Sequence, residues 1–291
     1  MIASSRQPRT VRELLAYGVE RFERAGIAFG HGTDNALDEA AWLILHSLGY
    51  PLDELNPHLD EPLTDAQYRA AKSLLDARVR SRKPAAYLTH EAWLGKHRFY
   101  VDERVIVPRS FIAELIGNRG LAPVSPDSIL DLCTGSGCLA ILAALEWPGA
   151  RVDAADLSED ALAVAKRNVA DYKLARRVRL AKSDLFSALA TRRYDLIVSN
   201  PPYVKASSMR KLPDEYRKEP GMALASGADG LEHTRRILAQ AREHLNPGGL
   251  LVVEIGHNRA ALERAYPELA FRWPKVSAGT GYVFTLRREE L

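Results

Sequence analysis

The sequence has little with which to cross-link itself, cross a membrane or hold a metal. Of 291 residues only two are cysteines, Cys133 and Cys138. Their spacing is not that of a redox or zinc pair, so both are expected to be compact packing residues. No stretch approaches the ~20 apolar residues of a membrane span, and the polar start, Met1 to Arg12, has no apolar run of a secretory signal. A reducing cytoplasm is therefore the expected location. The eight histidines, among them His31, His90, His97 and His233, follow no metal-ligand pattern, and no metal is expected. Internal repeats and low-complexity segments are lacking. Charge of either sign is not in excess: the net value is +3, too small to mark a dedicated nucleic-acid binder. Lys205, Arg210, Lys211, Arg217 and Lys218 come nearest to a basic patch; proximity to RNA and a solvated loop explain them equally.

What is present is an ordinary globular composition, 46% hydrophobic and 26% charged, long enough for one large domain or two smaller ones. Residues 10–82 carry helical periodicity. Thr10 with Glu13 and Thr64 with Gln67 form capping-box patterns, and Asp34 to Leu48 carries an apolar face that Gly49 and Pro51 end. We expect a small helical domain over 1–83 that positions a substrate. Lys83-Pro84 breaks it, and the β-branched and aromatic run from Ala85 to Pro108, turning at Gly95, predicts a β-hairpin linker over 84–108. Over 109–291 strand and helix alternate. Strands end at Leu132, Asp156, about Ser183 and Ser199, the apolar Leu250–Ile255 follows a turn at Asn246–Gly249, and short strands near Phe271 and Tyr282–Thr285 close the chain. That order predicts a doubly wound α/β sheet with an antiparallel C-terminal hairpin.

The most informative stretch is Ser199-Asn200-Pro201-Pro202-Tyr203, directly after the apolar strand Tyr194–Val198. Two prolines forbid further ladder pairing and push Asn200 toward an extended conformation. The corner presents an amide, bare carbonyls and an aromatic ring, a set that suits a planar NH₂ group. In doubly wound sheets ligands bind outside the carboxyl ends of the strands. Four groups fall there in succession: the turn Cys133-Thr134-Gly135-Ser136-Gly137, Asp156, Asp184 with Leu185, and Asn200. The glycine turn with an acid about 20 residues on also fits a dinucleotide fold. Against that, Asp131 before the turn would repel a pyrophosphate and attract an ammonium group. Asp184-Leu185-Phe186 suits the amino edge and face of adenine. An ammonium, a ribose and an adenine without phosphate describe S-adenosylmethionine.

On these residues the sequence resembles the class I S-adenosylmethionine-dependent methyltransferases. With Asn-Pro-Pro-Tyr after the fourth strand it resembles the protein glutamine methyltransferases. The stretches Phe29–Ala36, Phe99–Arg104, Val107–Ser110 and Asp131–Gly137 are similar to the branch that modifies a glutamine of large-subunit ribosomal protein three. The sister branch, acting on peptide release factors, usually has Gly in place of Cys133 and Pro in place of Ser110. The resemblance implies that Asp131, Thr134, Gly135 and Gly137 surround the methionine end of the cofactor, that Asp156 takes the ribose, and that Asp184 and Leu185 meet adenine. It further implies that Asn200 and the Pro201 carbonyl accept the N–H bonds of the target glutamine, with Pro202 beside them and Tyr203 on the amide plane. Glu219-Pro220 and Ala223-Leu224 are implied to lie over the site. Other functions compatible with the corner are release-factor methylation and methylation of an adenine amino group, which requires capture of the base. A cofactor-binding adaptor without turnover and a nicotinamide oxidoreductase are the remaining classes.

These classes separate in a thermal-shift experiment. S-adenosylmethionine at ~100 times its dissociation constant should stabilise the protein by about 2.7 kcal/mol, and nicotinamide dinucleotides should not. The reverse pattern would establish the oxidoreductase.

Overall fold

A computed structural model describes residues 9–118, 121, 125–189 and 191–291; most of the polar start lies outside that set. The chain forms two compact units, Met1–Glu91 with Pro213–Lys218, and Ala92–Leu212 with Glu219–Leu291. Among the described residues no helix is long and apolar enough to cross a membrane.

The first unit is helical. Both capping boxes form: Thr10 opens α1 (Val11–Arg24), and Thr64 opens α4 (Asp65–Ser81). Between them lie α2 (Ala36–Leu48), capped by Asn35 and closed by left-handed Gly49, and the short α3 (Leu55–His58). Leu14, Phe22, Leu43, Ile44 and Leu75 make the core. Gly18 sits inside α1, where glycine costs about 1 kcal/mol relative to alanine. A Cβ there would stand 2.9 Å from that of Ala40, so its absence lets α1 and α2 approach closely. Residues 85–89, expected in a hairpin, form the helical turn α5 (Ala85–Thr89) instead. Pro84 stands at the N-cap, its carbonyl accepting from the Tyr87 and Leu88 amides at 3.0 and 3.3 Å, and Ala85 and Ala86 are strong helix formers.

The interior of this unit is also ionic. Arg78, Glu39 and Glu215 are wholly buried. Arg78 donates to Glu39 at 2.5 Å and to the Ala28 carbonyl at 3.1 Å, and approaches Glu215 at 3.5 Å. Arg82 pairs with Glu215 at 2.9 Å. Glu215 also accepts from the Ala28 amide at 3.2 Å. It belongs to Pro213–Lys218, a segment that follows the Asn-Pro-Pro-Tyr corner in sequence but is built into the helical unit.

The second unit opens with a hairpin, β1 (Ala92–Leu94) and β2 (His97–Phe99), joined through Gly95 with φ +60°. The hairpin expected over 84–108 does not extend through 101–108. Polar groups there bond elsewhere: the Val107 amide to Glu219 and the Arg104 amide to Asp102. After α6 (Ile112–Gly117) come β3 (Ser128–Leu132), α7 (Cys138–Glu146), β4 (Arg151–Asp156), α8 (Glu159–Asp171), β5 (Val178–Lys182) and β6 (Tyr194–Ser199). A short α9 (Ala206–Met209) precedes α10 (Glu232–His244), β7 (Leu245–Glu254), α11 (Arg259–Ala265) and β8 (Val283–Arg287). The sheet order is β5-β4-β3-β6-β7-β8, parallel except for β8 against β7. Leu251, Val252 and Val253 are all fully buried, as expected of a strand covered on both faces.

Two details depart from expectation. The Asn246–Gly249 turn lies within β7 as a register shift, with Tyr194 opposite Leu245 and Leu196 opposite Leu250. The strand near Phe271 reduces to one bridge, Arg272 with Thr285, because Pro267 and Pro274 on either side supply no ladder N–H.

Replacing Arg78 with alanine would leave buried Glu39 with no cation, only the Thr33 hydroxyl at 2.9 Å, and would take one of its two arginines from Glu215. Arg78→Ala should lower the unfolding free energy by about 3–5 kcal/mol, read from urea unfolding. A loss below about 1 kcal/mol would mean that water reaches Glu39 and Glu215.

Candidate active site

The topology fixes where a ligand can sit. From β3 the chain winds outward through β4 and β5, then returns to place β6 on the other side of β3. The loops after β3 and β6 therefore diverge and leave a crevice at the switch point. Leu132 and Ser199 are register partners, and the Ser199 hydroxyl donates to the Leu132 carbonyl at 2.9 Å. The two strand ends are thus level. Gly135, Asp156, Asp184, Leu185, Asn200 and Pro202 line one cavity there. Pro220, Met222 and Ala223 lie along it too.

The turn after β3 reverses through left-handed residues: Cys133 (φ +58°), Gly135 (+55°) and Gly137 (+81°). Beside Gly135 a Cβ would meet nothing within 4 Å, so bare backbone faces open space. At Gly137 it would come within 3.2 Å of the Ala165 Cβ, where α7 starts against α8. Cys133 holds the same backbone region with a side chain, at a cost of roughly 1 kcal/mol. Burial raises the Cys133 thiol and pushes that of Cys138 up to about 12, so both stay protonated at neutral pH.

The acids differ in environment. Asp131 lies beneath the turn, wholly buried. Its Oδ2 accepts from the Thr134 hydroxyl at 2.5 Å and the Ala140 amide at 3.1 Å, and its Oδ1 has no partner. Burial raises its pKa to about 7. Asp156 accepts from the Gly135 amide at 2.8 Å and the Ser158 amide at 2.9 Å; burial raises it as well. Asp184 is exposed and pairs with Arg236 at 2.7 Å. Leu185 beside it has φ +51°, and its carbonyl accepts from the Ser183 hydroxyl at 2.6 Å.

At the corner the Asn200 Nδ2 donates to the Arg109 carbonyl at 3.4 Å, which leaves Oδ1 buried without a partner. An unpaired buried acceptor costs about 1–3 kcal/mol unless something donates to it. Pro201 and Pro202 are buried. Tyr203 lines a different, neighbouring cavity of about 680 Å³, together with Arg109, Ser110 and Glu254. The Asn258 amide holds the Tyr203 carbonyl at 2.9 Å. Asp131, Thr134, Gly137 and Pro201 are not among the residues that line the crevice.

The surroundings are held by pairings between segments distant in the sequence. Arg109 forms a two-pronged ion pair with Glu219, 2.6 Å on each arm, and Glu219 also takes the Val107 amide at 2.9 Å. This pair joins segments 110 residues apart and anchors the segment that carries Pro220, Met222 and Ala223. Arg104, Val105, Ile106 and His233 line the cavity as well; no local pattern marks them. Glu254 ends β7, buried, and accepts from the Ser110 hydroxyl at 2.7 Å and the Phe111 amide at 2.9 Å. Burial lifts its pKa to about 7.

Residues 13–89 match the family described as PrmC N-terminal domain, and residues 118–215 match Methyltransferase small domain. The chain is 57% identical over 287 residues to the ribosomal protein uL3 glutamine methyltransferase of Neisseria meningitidis serogroup B, covering 97% of this chain and 94% of that one. The chain belongs to the ribosomal protein uL3 glutamine methyltransferase family. The protein of the same name from Bordetella pertussis is 52% identical over 288 residues, covering 97% and 96%. A methyltransferase structure from Pyrococcus furiosus shares the fold, with TM-score 0.50, 19% identity, and 73% of this chain and 97% of that one covered. For a uL3 methyltransferase relative, the two positions expected to distinguish the release-factor branch have visible physical roles here. Cys133 occupies a backbone region that favours glycine. Ser110 donates a hydroxyl to Glu254, which a proline could not do.

The raised Glu254 pKa carries a sign. A carboxyl held up to about 7 in the fold, against an ordinary 4.5, contributes stability that is complete below about pH 4.5 and lost as pH rises through about 7. Asp131 acts in the same direction. Urea unfolding should therefore show stability falling between pH 5 and pH 8, with Glu254→Gln removing up to roughly 3 kcal/mol of that fall. An unchanged slope in the variant would show that Glu254 is ionised throughout.

Proposed function

We propose that this protein transfers a methyl group from S-adenosylmethionine to the side-chain amide nitrogen of a glutamine in ribosomal protein uL3, acting in the cytoplasm. The observation that carries the reading is the pair of orphaned acceptors, Asp131 Oδ1 and Asn200 Oδ1, behind and beside one cavity at the switch point. Each lacks a donor, and the two N–H-bearing groups of the reaction would supply them. Relatives at 52–57% identity bear the name of that activity.

The residues fit the cofactor. Asp131 would hold the ammonium group, and a cation there favours its charged form against burial. The open face of Gly135 admits a ligand at backbone distance. Asp156 would take the ribose hydroxyls, and Asp184 with Leu185 the adenine edge. When bound, S-adenosylmethionine supplies an electrophilic methyl group on sulfur.

The chain's own part is to make a poor nucleophile adequate. An amide nitrogen shares its lone pair with its carbonyl. Asn200 Oδ1 and the Pro201 carbonyl would accept its two N–H bonds, hold it in line, and stabilise positive charge on nitrogen as the new bond forms. Orientation lowers the barrier by avoiding the entropy of alignment, and each aimed acceptor adds about 3 kcal/mol. The Nδ2 bond to Arg109 sets the Asn200 amide with its oxygen free. No side chain has to remove a proton beforehand; the N-methylated nitrogen gives up its extra proton to water. Arg109, through Glu219, keeps Pro220 to Ala223 along the cavity and limits water there.

Asn200→Ala should lower kcat about 10²–10³-fold with S-adenosylmethionine affinity within a few-fold, measured by transfer of labelled methyl to isolated uL3. Equal rates would remove Asn200 from the mechanism. Label entering release factors or adenine in nucleic acid, and not uL3, would replace the substrate.

A further inference from the structure

At the end of the sheet opposite the crevice, the strand starts carry an unusual concentration of one residue. Arg151 opens β4, Arg176, Arg177 and Arg179 lead into and begin β5, and Arg192 and Arg193 immediately precede β6. All six line a single concavity of about 560 Å³, floored by Ser128, Asp153 and Tyr194. Asp153 is its one carboxylate, engaged by Arg179 at 3.2 Å and Arg192 at 2.6 Å. Arg177 donates to the Trp147 and Pro148 carbonyls, at 3.3 and 2.9 Å, which fixes its direction without cancelling its charge. Among the described residues Arg151, Arg176 and Arg193 have no acidic partner. Six arginines against one aspartate leave more positive charge in this hollow than the +3 carried by the whole chain.

We propose that this hollow binds RNA through its phosphates. Like charges gathered without counter-charges repel one another, and a bound polyanion relieves that. Guanidinium forks match phosphate oxygens bidentately. The row runs across β5, β4, β3 and β6, three strand spacings of ~4.8 Å or about 14 Å. A single phosphate would meet only part of it. Each strand of a nucleic-acid duplex presents a phosphate every ~3.4 Å of axis, and even a more extended single strand places more than one phosphate along the row and would engage several arginines together. Polyanion binding stands on this geometry alone. The choice of RNA rests on the proposed substrate, a ribosomal protein, which reaches its mature state on RNA.

The test uses the full-length protein, a 20-nucleotide poly(U) probe and fluorescence anisotropy across a salt series. The variant R151Q/R176Q/R193Q removes the three unpaired charges and spares the arginines that brace Asp153 and the Trp147 turn. It should bind poly(U) at least tenfold more weakly at low salt. Its slope of log affinity against log salt should be shallower by about 2, with the thermal midpoint unchanged and isolated uL3 methylated within twofold of wild type. Wild-type binding with the same slope as the variant, or no salt-dependent binding at all, would overturn the proposal. Polyglutamate of equal charge competing as well as RNA would overturn the assignment to RNA. Because methylation of isolated uL3 is read separately, a failure of the methyltransferase reading shows in that arm alone.

Discussion

Two parallel strands that end level with one another set the chemistry of this protein. Leu132 and Ser199 lie side by side, tied by a hydroxyl-to-carbonyl bond of 2.9 Å. Because they are neighbours in space and far apart in sequence, the loops that leave them must part. One loop can then hold the methyl donor and the other the acceptor. A slip of one residue in this pairing would turn every side chain of β6 to the opposite face and carry Asn200 away from the turn after β3. The burial of β3 and β6 on both faces protects that register.

Much of this was legible in the sequence, since it depends on local chemistry. The α/β order, both capping boxes, the glycine turn and the four strand-end groups follow from periodicity, caps and backbone restrictions. What escaped the sequence depends on contacts between distant segments. Val101–Pro108 has the composition of a strand, yet the Arg104 and Val107 amides bond to side chains, one of them 112 residues away. Ala85–Thr89 contains Tyr87 and Leu88, which suit a strand equally well, and the preceding Pro84 decided otherwise. Arg78 and Glu39 look like solvated charges on amphipathic helices, and both are buried because they pair with each other and Arg78 also meets Glu215 from a distant segment. Tyr203 adjoins Asn200 in sequence but faces another cavity: in an extended corner successive side chains point in different directions.

The site tolerates several groups that would be unfavourable in a merely structural core. Cys133 is left-handed, Asp131 and Glu254 are acids lifted toward neutrality by burial, and Asn200 keeps an acceptor without a donor. Strain and unmet hydrogen-bonding capacity of this kind gather where ligands complete the set. The Arg109–Glu219 pair works in the other direction. Both Glu219 oxygens accept from Arg109 and one also takes the Val107 amide, which ties the start of the Pro220–Ala223 segment to Val107–Arg109.

Glu215 also has a bearing on the order in which the protein can be made. It is 137 residues beyond Arg78, so at ~5–20 residues per second roughly 7–27 s of synthesis separate the two. During that interval the N-terminal helices exist with Arg78 and Arg82 short of one carboxylate. The helical unit therefore does not finish folding when its own last helix emerges. It finishes only after the ribosome has delivered β3 through β6 and the Asn-Pro-Pro-Tyr corner. Completion of the helical unit therefore requires that the Asn-Pro-Pro-Tyr corner has been synthesised, and a fragment ending at Glu91 would contain all five helices but lack the Glu215 carboxylate that Arg78 and Arg82 share.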